Sequence, residues 1–294
     1  MQSIKEKQDT DLMSLDIEHL RGWVGRTEAM DDLATLAPLR GLTATLDRDD
    51  QPQVGDAIPP CWHWLYFLPM HRQSGIGPDG HPRRGGFLPP VPLPRRMWAG
   101  SQIEFRAPLL AGQSLSRLSR IDDVRVNEGR SGPLVFVNVQ HEIRGDADLA
   151  IVERQDIVYR EMAQPGDPIP AAVPAPTDAQ WSRRIEPDDV LLFRYSALTF
   201  NGHRIHYDRK YVTEVEGYPG LIVHGPLIAT LLLDLLRRKL PSAKVQRFGF
   251  RAVTPLLDIA AFEICGKQED DKTVRLWARN AEGHLAMDAS ATLA

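Results

Sequence analysis

This chain has little cysteine, no basic excess and no long apolar run, and each shortage removes a class of protein. Two cysteines, Cys61 and Cys265, stand far apart among 294 residues. Such spacing offers no disulfide framework and no paired metal motif, and it fits a reducing compartment. Lys and Arg number 35 against 39 Asp and Glu, a net charge of -4. A nucleic-acid-binding surface normally needs a clear basic excess, so that class is set aside. The most apolar segment, "PLIATLLLDLL", is interrupted by Asp234 and falls far short of the ~20 residues of a membrane span. The N-terminal "MQSIKEKQDTDLMSLDIEHL" is too charged for a signal peptide. The expectation is a cytoplasmic enzyme or binding protein that engages neither membrane nor nucleic acid.

Proline, by contrast, is plentiful and locally dense. "QPGDPIPAAVPAPTD", residues 164–178, holds five prolines and almost no large apolar side chain. Proline fixes φ and removes a backbone donor, so the stretch reads as a semi-rigid linker. It leaves halves of about 160 and 115 residues, each large enough for a core of its own. "IEFRAPLLAG" (103–112) and "FGFRAVTPLLDI" (248–259) share Phe-Arg-Ala and Pro-Leu-Leu in the same order. A spacing of about 145 residues between them is what an internal duplication leaves.

In the second half the periodicity is readable. "HGPLIATLLLDLLRRKLP" is apolar on most faces and ends in basic residues and Pro241, which predicts a buried helix. "TVRLWARN" places Val274, Leu276 and Ala278 on one face and Trp277 on the other. "HLAMDASATL" alternates as cleanly, and "NAEG" between them predicts a hairpin loop. "VQRFGFRA" and "DIAAFEICG" complete an antiparallel meander around the helix. In the first half "GPLVFVNVQHEI" and "DLAIVERQDIVYRE" predict paired strands, and "PPCWHWLYFLPMH" is the candidate central helix. Residues 75–98 are too rich in Gly and Pro for regular structure, and a loop of that length is usually functional or disordered.

The chemistry concentrates in "SALTFNGHRIHYDRKYV", residues 196–212. Three readings compete: a solvated turn, a metal site built on His203, His206, Asp208 and His224, or a catalytic loop. Two histidines three apart with no cysteine make a weak metal signal. The catalytic reading gains from "YPGLIVHGPL", which sets His224-Gly225-Pro226 at the start of the predicted helix. The first helix amides lack intrahelical partners, and the dipole adds positive potential there. Gly225 lets a ligand approach the backbone, so a developing oxyanion finds its donor. A histidine nearby supplies the proton-transfer partner, which suits chemistry beside a carbonyl.

These residues resemble the MaoC-like hot-dog hydratases and dehydratases. Within them the likeness is to the double hot-dog branch that holds the mesaconyl-C4-CoA and itaconyl-CoA hydratases and the mitochondrial 3-hydroxyacyl-thioester dehydratase. The family motif Gly-Asp-any-Asn-Pro-aliphatic-His takes the register Phe200-Asn201-Gly202-His203-Arg204-Ile205-His206. The resemblance implies His206 as the catalytic histidine and Gly225 as the donor to the thioester carbonyl. Asn201 replaces the usual aspartate and His203 the usual asparagine; an amide does not titrate, so Asn201 orients water or substrate.

His203 is open to two roles, a second acid/base or a support for the tautomer of His206. Asp208 either orients a histidine or is solvated. Arg204 either binds a distal carboxylate or pairs with a neighbouring acid. His224, Tyr195, Arg95 and Arg96 are further expected substrate contacts. The implied fold is α+β, a double hot-dog: a degenerate first domain over 1–163, the linker, and a catalytic domain over 179–294. The implied reaction is reversible hydration of an α,β-unsaturated acyl-CoA thioester, with C5 dicarboxylyl-CoA groups (mesaconyl-C4-CoA or itaconyl-CoA, giving citramalyl-CoA) the first choice. Alternatives are a straight-chain 3-hydroxyacyl-thioester dehydratase, a thioesterase, or a silent acyl-CoA-binding module. No metal or other cofactor is implied, and a homodimer is possible.

Overall fold

Ten strands form one antiparallel sheet, described by a computed structural model over residues 15–129, 132–146, 148–162 and 171–294. They are β1 (Thr27–Leu33), β2 (Arg95–Phe105), β3 (Ser114–Gly129), β4 (Gly132–Gly145), β5 (Asp148–Arg160), β6 (Trp181–Ile185), β7 (Val245–Ala252), β8 (Phe262–Gln268), β9 (Thr273–Arg279) and β10 (Leu285–Leu293). Their spatial order is β1-β3-β4-β5-β2-β7-β10-β9-β8-β6. The first five come from one half of the chain and the last five from the other, so the halves join edge to edge through β2 and β7. Pairing closes what would otherwise be two open edges.

Helices are few: α1 (Ile17–Arg21), α2 (Leu36–Thr45), α3 (Asp189–Leu198), α4 (Arg209–Glu214) and α5 (Gly225–Lys239). The predicted buried helix is α5, with Leu227 through Leu236 all buried. Each buried leucine there contributes roughly 2 kcal/mol. Asp234, the polar interruption, is buried with its carboxylate held by Arg48, Arg183 and Arg238 at 2.8, 3.1 and 2.7 Å. The helix stops before Pro241, with Arg237, Arg238 and Lys239 in its last turn, where cations suit the dipole.

The first-half central helix does not form. Trp62–Leu65 make a single 3-10 turn, flanked by left-handed Cys61 (φ 67°) and Phe67 (φ 56°). Two prolines before it and Pro69 after it leave no room for a longer helix. The turn nevertheless occupies the helix's place. The Ile58 amide bonds the Leu109 carbonyl at 2.8 Å, as the Val223 amide bonds that of Leu256 at 2.9 Å. The Ala111 amide reaches Asp56, as the Asp258 amide reaches Leu221. This correspondence makes Pro-Leu-Leu of the two halves equivalent. The β2/β7 pairing is centred on Gln102 and Gly249 and carries Arg106 onto Val253. The Phe-Arg-Ala portions of the echo are therefore two residues out of structural register.

Two further expectations need correction. Trp277, placed on the outward face of β9, is wholly buried with Cys265, Leu285 and Ala175. The end of the linker covers that face: the Ala175 amide bonds Gly283, and Leu285 bonds Val173. Residues 164–170 of the linker lie outside the described residues. β8 starts at Phe262, because the predicted strand's first residue, Asp258, caps the Leu221 amide instead. No helix among the described residues is long and apolar enough to cross a membrane.

Candidate active site

α3 begins on Asp188, whose side chain accepts the Leu191 amide at 2.8 Å, and ends at Thr199. Phe200 then turns the chain in a left-handed conformation (φ 48°), and the Asn201 side-chain oxygen accepts the His203 amide at 3.0 Å. This local turn is what asparagine does well. A 3-10 turn, Arg204–His206, follows, and Asp208 caps α4 by accepting the Tyr211 amide. Asp208 also accepts Arg204 Nε and Nη2 at 2.9 and 2.7 Å. It therefore orients no histidine and is not simply solvated.

His206 is buried, and its Nδ1 lies 2.7 Å from the Ile222 carbonyl. A carbonyl only accepts, so Nδ1 carries the proton and Nε2 is left bare. Burial, partly opposed by the Ile222 hydrogen bond, pushes the ring's pKa down to about 4. At neutral pH His206 is thus an uncharged base with a free acceptor nitrogen. His224 stacks on it, ring centres 3.7 Å apart. His224 is fully buried, shares a 2.8 Å hydrogen bond with Ser196 Oγ and has Tyr195 packed edge-on at 5.1 Å. His224 and Tyr195 accordingly form the platform behind His206, with little surface left for a substrate.

His224 is also the N-cap of α5, so the stack sets His206 beside the helix entrance. A side-chain carbon built at Gly225 meets nothing nearer than the Trp98 carbonyl, 4.0 Å away. The protein itself does not need glycine there; the open space lies where a ligand would meet the first helix amides.

His203 lies edge-on to His206 at 5.4 Å, and burial with the charge of His81 holds its pKa far below the ordinary value. Of the arginines, Arg204 is committed to Asp208 and stacks on Tyr211 at 4.1 Å. Arg95 is buried against Glu216 at 3.0 Å. The charge of Arg96 falls on His81 and His203. The sequence reading missed Ser196, Asp79 and His81. Only the unusual length of the 75–98 loop signalled the last two.

The family model for hydroxyacyl-thioester dehydratase type 2 matches residues 61–258. The chain belongs to this family. It is 46% identical over 275 residues to the mesaconyl-C(4)-CoA hydratase of Chloroflexus aurantiacus, spanning 92% of this chain and 96% of that one. It is 26% identical to the mitochondrial hydroxyacyl-thioester dehydratase type 2 of Schizosaccharomyces pombe, spanning 71% and 77%. A Mycobacterium tuberculosis protein described as a double hotdog fold superposes with a TM-score of 0.58 at 14% identity, over 92% of this chain and 96% of that one. The α+β double hot-dog expectation holds, and the protein is a hydro-lyase.

Proposed function

We propose that the protein adds water reversibly across the α,β double bond of an acyl-CoA thioester, with a C5 dicarboxylyl group such as mesaconyl-C4 or itaconyl as its substrate. One observation carries the chemistry: a neutral His206 with a bare Nε2 beside the open N-terminus of α5. The Gly225 amide polarises the thioester carbonyl, and His206 takes a proton from water as oxygen bonds to the β carbon. The π electrons move to the enolate, whose charge the helix amides stabilise. The imidazolium then protonates the α carbon and returns to its neutral form. Asn201 orients the water.

The likeness to the Chloroflexus enzyme supports the dicarboxylyl choice. Arg204 and Arg95 are neutralised by Asp208 and Glu216, so Arg96 is the arginine we assign to the distal carboxylate. The same commitments favour a second reading, dehydration of straight-chain 3-hydroxyacyl thioesters. Free, buried Cys61 and Cys265 fit the cytoplasm.

The test is loss of enoyl-thioester absorbance with mesaconyl-C4-CoA, itaconyl-CoA, crotonyl-CoA and a medium-chain enoyl-CoA, comparing the wild type with Arg96→Ala. Preference for C5 dicarboxylyl thioesters, lost in the variant, supports the assignment. Preference for crotonyl or longer chains moves it to the second reading. Release of free thiol would make it a thioesterase, and no turnover on any substrate would favour a silent binding module.

A further inference from the structure

The resemblance puts a carboxylate where this chain has Asn201, yet the structure brings another carboxylate to the same loop from the other half of the chain. The Gly/Pro-rich segment docks on residues 202–204. The Asp79 carbonyl accepts the Arg204 amide and the Pro78 carbonyl accepts Arg204 Nη1, each at 2.9 Å. Gly80 and Gly202 lie so close that a side-chain carbon on Gly80 would overlap the Gly202 carbonyl. This docking delivers His81 to His203, ring centres 4.0 Å apart at 40°. Behind His81, Asp79 Oδ1 accepts the His81 amide at 3.0 Å, and Oδ2 lies 3.1 Å from Nδ1. A carboxylate only accepts, so Nδ1 of His81 carries the proton and its Nε2 is bare. A row of imidazoles results, from His81 through His203 to His206, closed by a carboxylate at its outer end.

We infer that the Asp79–His81 pair stands in for the carboxylate absent at position 201. Asp79 fixes the tautomer and angle of His81, and His81 fixes the ring of His203 against His206. Both act as positioning residues. His203, held neutral, accepts a hydrogen bond from the second O–H of the attacking water, which stays on the oxygen as the product hydroxyl, while His206 takes the first proton. The inference rests on the hydration reading above and assigns a function to the 75–98 loop within it. A carboxylate–imidazole pair in this arrangement orients a reacting base in other enzymes through the same fixed hydrogen bond.

The test compares Asp79→Asn, His81→Ala and Gly80→Ala with the wild type on the best enoyl-CoA substrate. Asp79→Asn keeps the shape and the backbone bond to Arg204, so loop docking survives. We expect kcat to fall about 10-fold in Asp79→Asn and about 10²-fold in His81→Ala, at or below the lower end of what a proton-transfer group itself contributes, as suits positioning residues. KM should change less than about 2-fold and melting temperature little, whereas Gly80→Ala, which displaces the loop, should raise KM. Free imidazole should restore part of the His81→Ala rate, a rescue that a merely structural role would not allow. Unchanged kcat in Asp79→Asn, or a loss confined to KM in both histidine-loop variants, overturns the inference. So does activity lost to a chelator and restored by zinc. That would make Asp79, His81 and His203, whose ligand atoms lie within 4.8 Å of one another, a metal site. A wild type silent on every enoyl thioester would sink the hydration reading too; an active wild type with intact Asp79→Asn turnover would sink this inference alone.

Discussion

The same backbone frame ends differently in the two halves. After Val223 the chain continues His-Gly-Pro into a 15-residue helix; after Ile58 it continues Pro-Pro-Cys into a four-residue turn. The helix packs through aliphatic side chains, leucines together with Ile228 and Ala229, apart from Asp234 and Thr230. The turn is held instead by a buried carboxylate, Glu153, which accepts from His63 (2.9 Å), Trp64 (3.1 Å) and Ser101 (2.9 Å). Burial would raise that carboxyl, but the hydrogen bond and charge of His63, with the charge of His141 and the Trp64 hydrogen bond, together outweigh it and hold its pKa down at about 2. A long helix offers unpaired amides and a dipole at its start; one turn offers neither in useful measure. The first half therefore lacks the helix start at which we propose the second half binds the thioester oxygen, and its 75–98 loop packs on residues 202–204 of the second instead.

The sharpest way to break this comparison is His206→Ala, expected to lower kcat/KM by about 10³-fold with the fold intact, read by steady-state kinetics and circular dichroism. In the first half, Glu153→Ala strands three buried donors. It should cost about 3 kcal/mol in denaturant unfolding while folded enzyme keeps its kcat. Gly225→Ala should lower kcat/KM by about 10²-fold, since the helix amides would no longer reach the thioester. Its melting temperature should hold, because the protein leaves room for that carbon. An inactive Glu153→Ala of wild-type stability, or an active Gly225→Ala, would blur the division of labour between the halves.

A smaller effect follows from pH. Burial holds His206 and His141 at about 4, against an ordinary value of 6.5. Below pH 6.5 the unfolded chain binds protons that the folded chain refuses, so folding stability rises with pH across this window. From pH 6.5 down to about 4 each histidine should remove up to about 1.4 kcal/mol per pH unit, levelling below. His81, His203 and His224 are lowered by burial too and act in the same direction. Urea midpoints across that range check the slope, and His141→Gln should remove one histidine's share of it, about a fifth to a quarter.

Much of this was legible because burial writes periodicity into sequence. α5 is apolar on nearly every face and closes on basic residues and Pro241; β9 and β10 lie where alternation placed them, and β7 covers the strand expected at "VQRFGFRA". Trp277 was misplaced because alternation assumes one wet face, and the linker covers it. "PPCWHWLYFLPMH" was misread because apolar content reports burial, not conformation, and left-handed Cys61 and Phe67 leave no trace in hydropathy. Arg204 was left between a ligand and a neighbouring acid, and Asp208 four residues on resolved it.

The chain's own order determined the turn that carries His203 and His206 and the helix start at Gly225, since each rests on residues close in sequence. Tertiary structure alone decided which nitrogen of His206 is bare, that His224 is its platform, and that Asp79 and His81 reach His203 from more than a hundred residues away. Those relations depend on the fold that seals β2 against β7 and lays the Gly/Pro loop over the site, and no local pattern carries them.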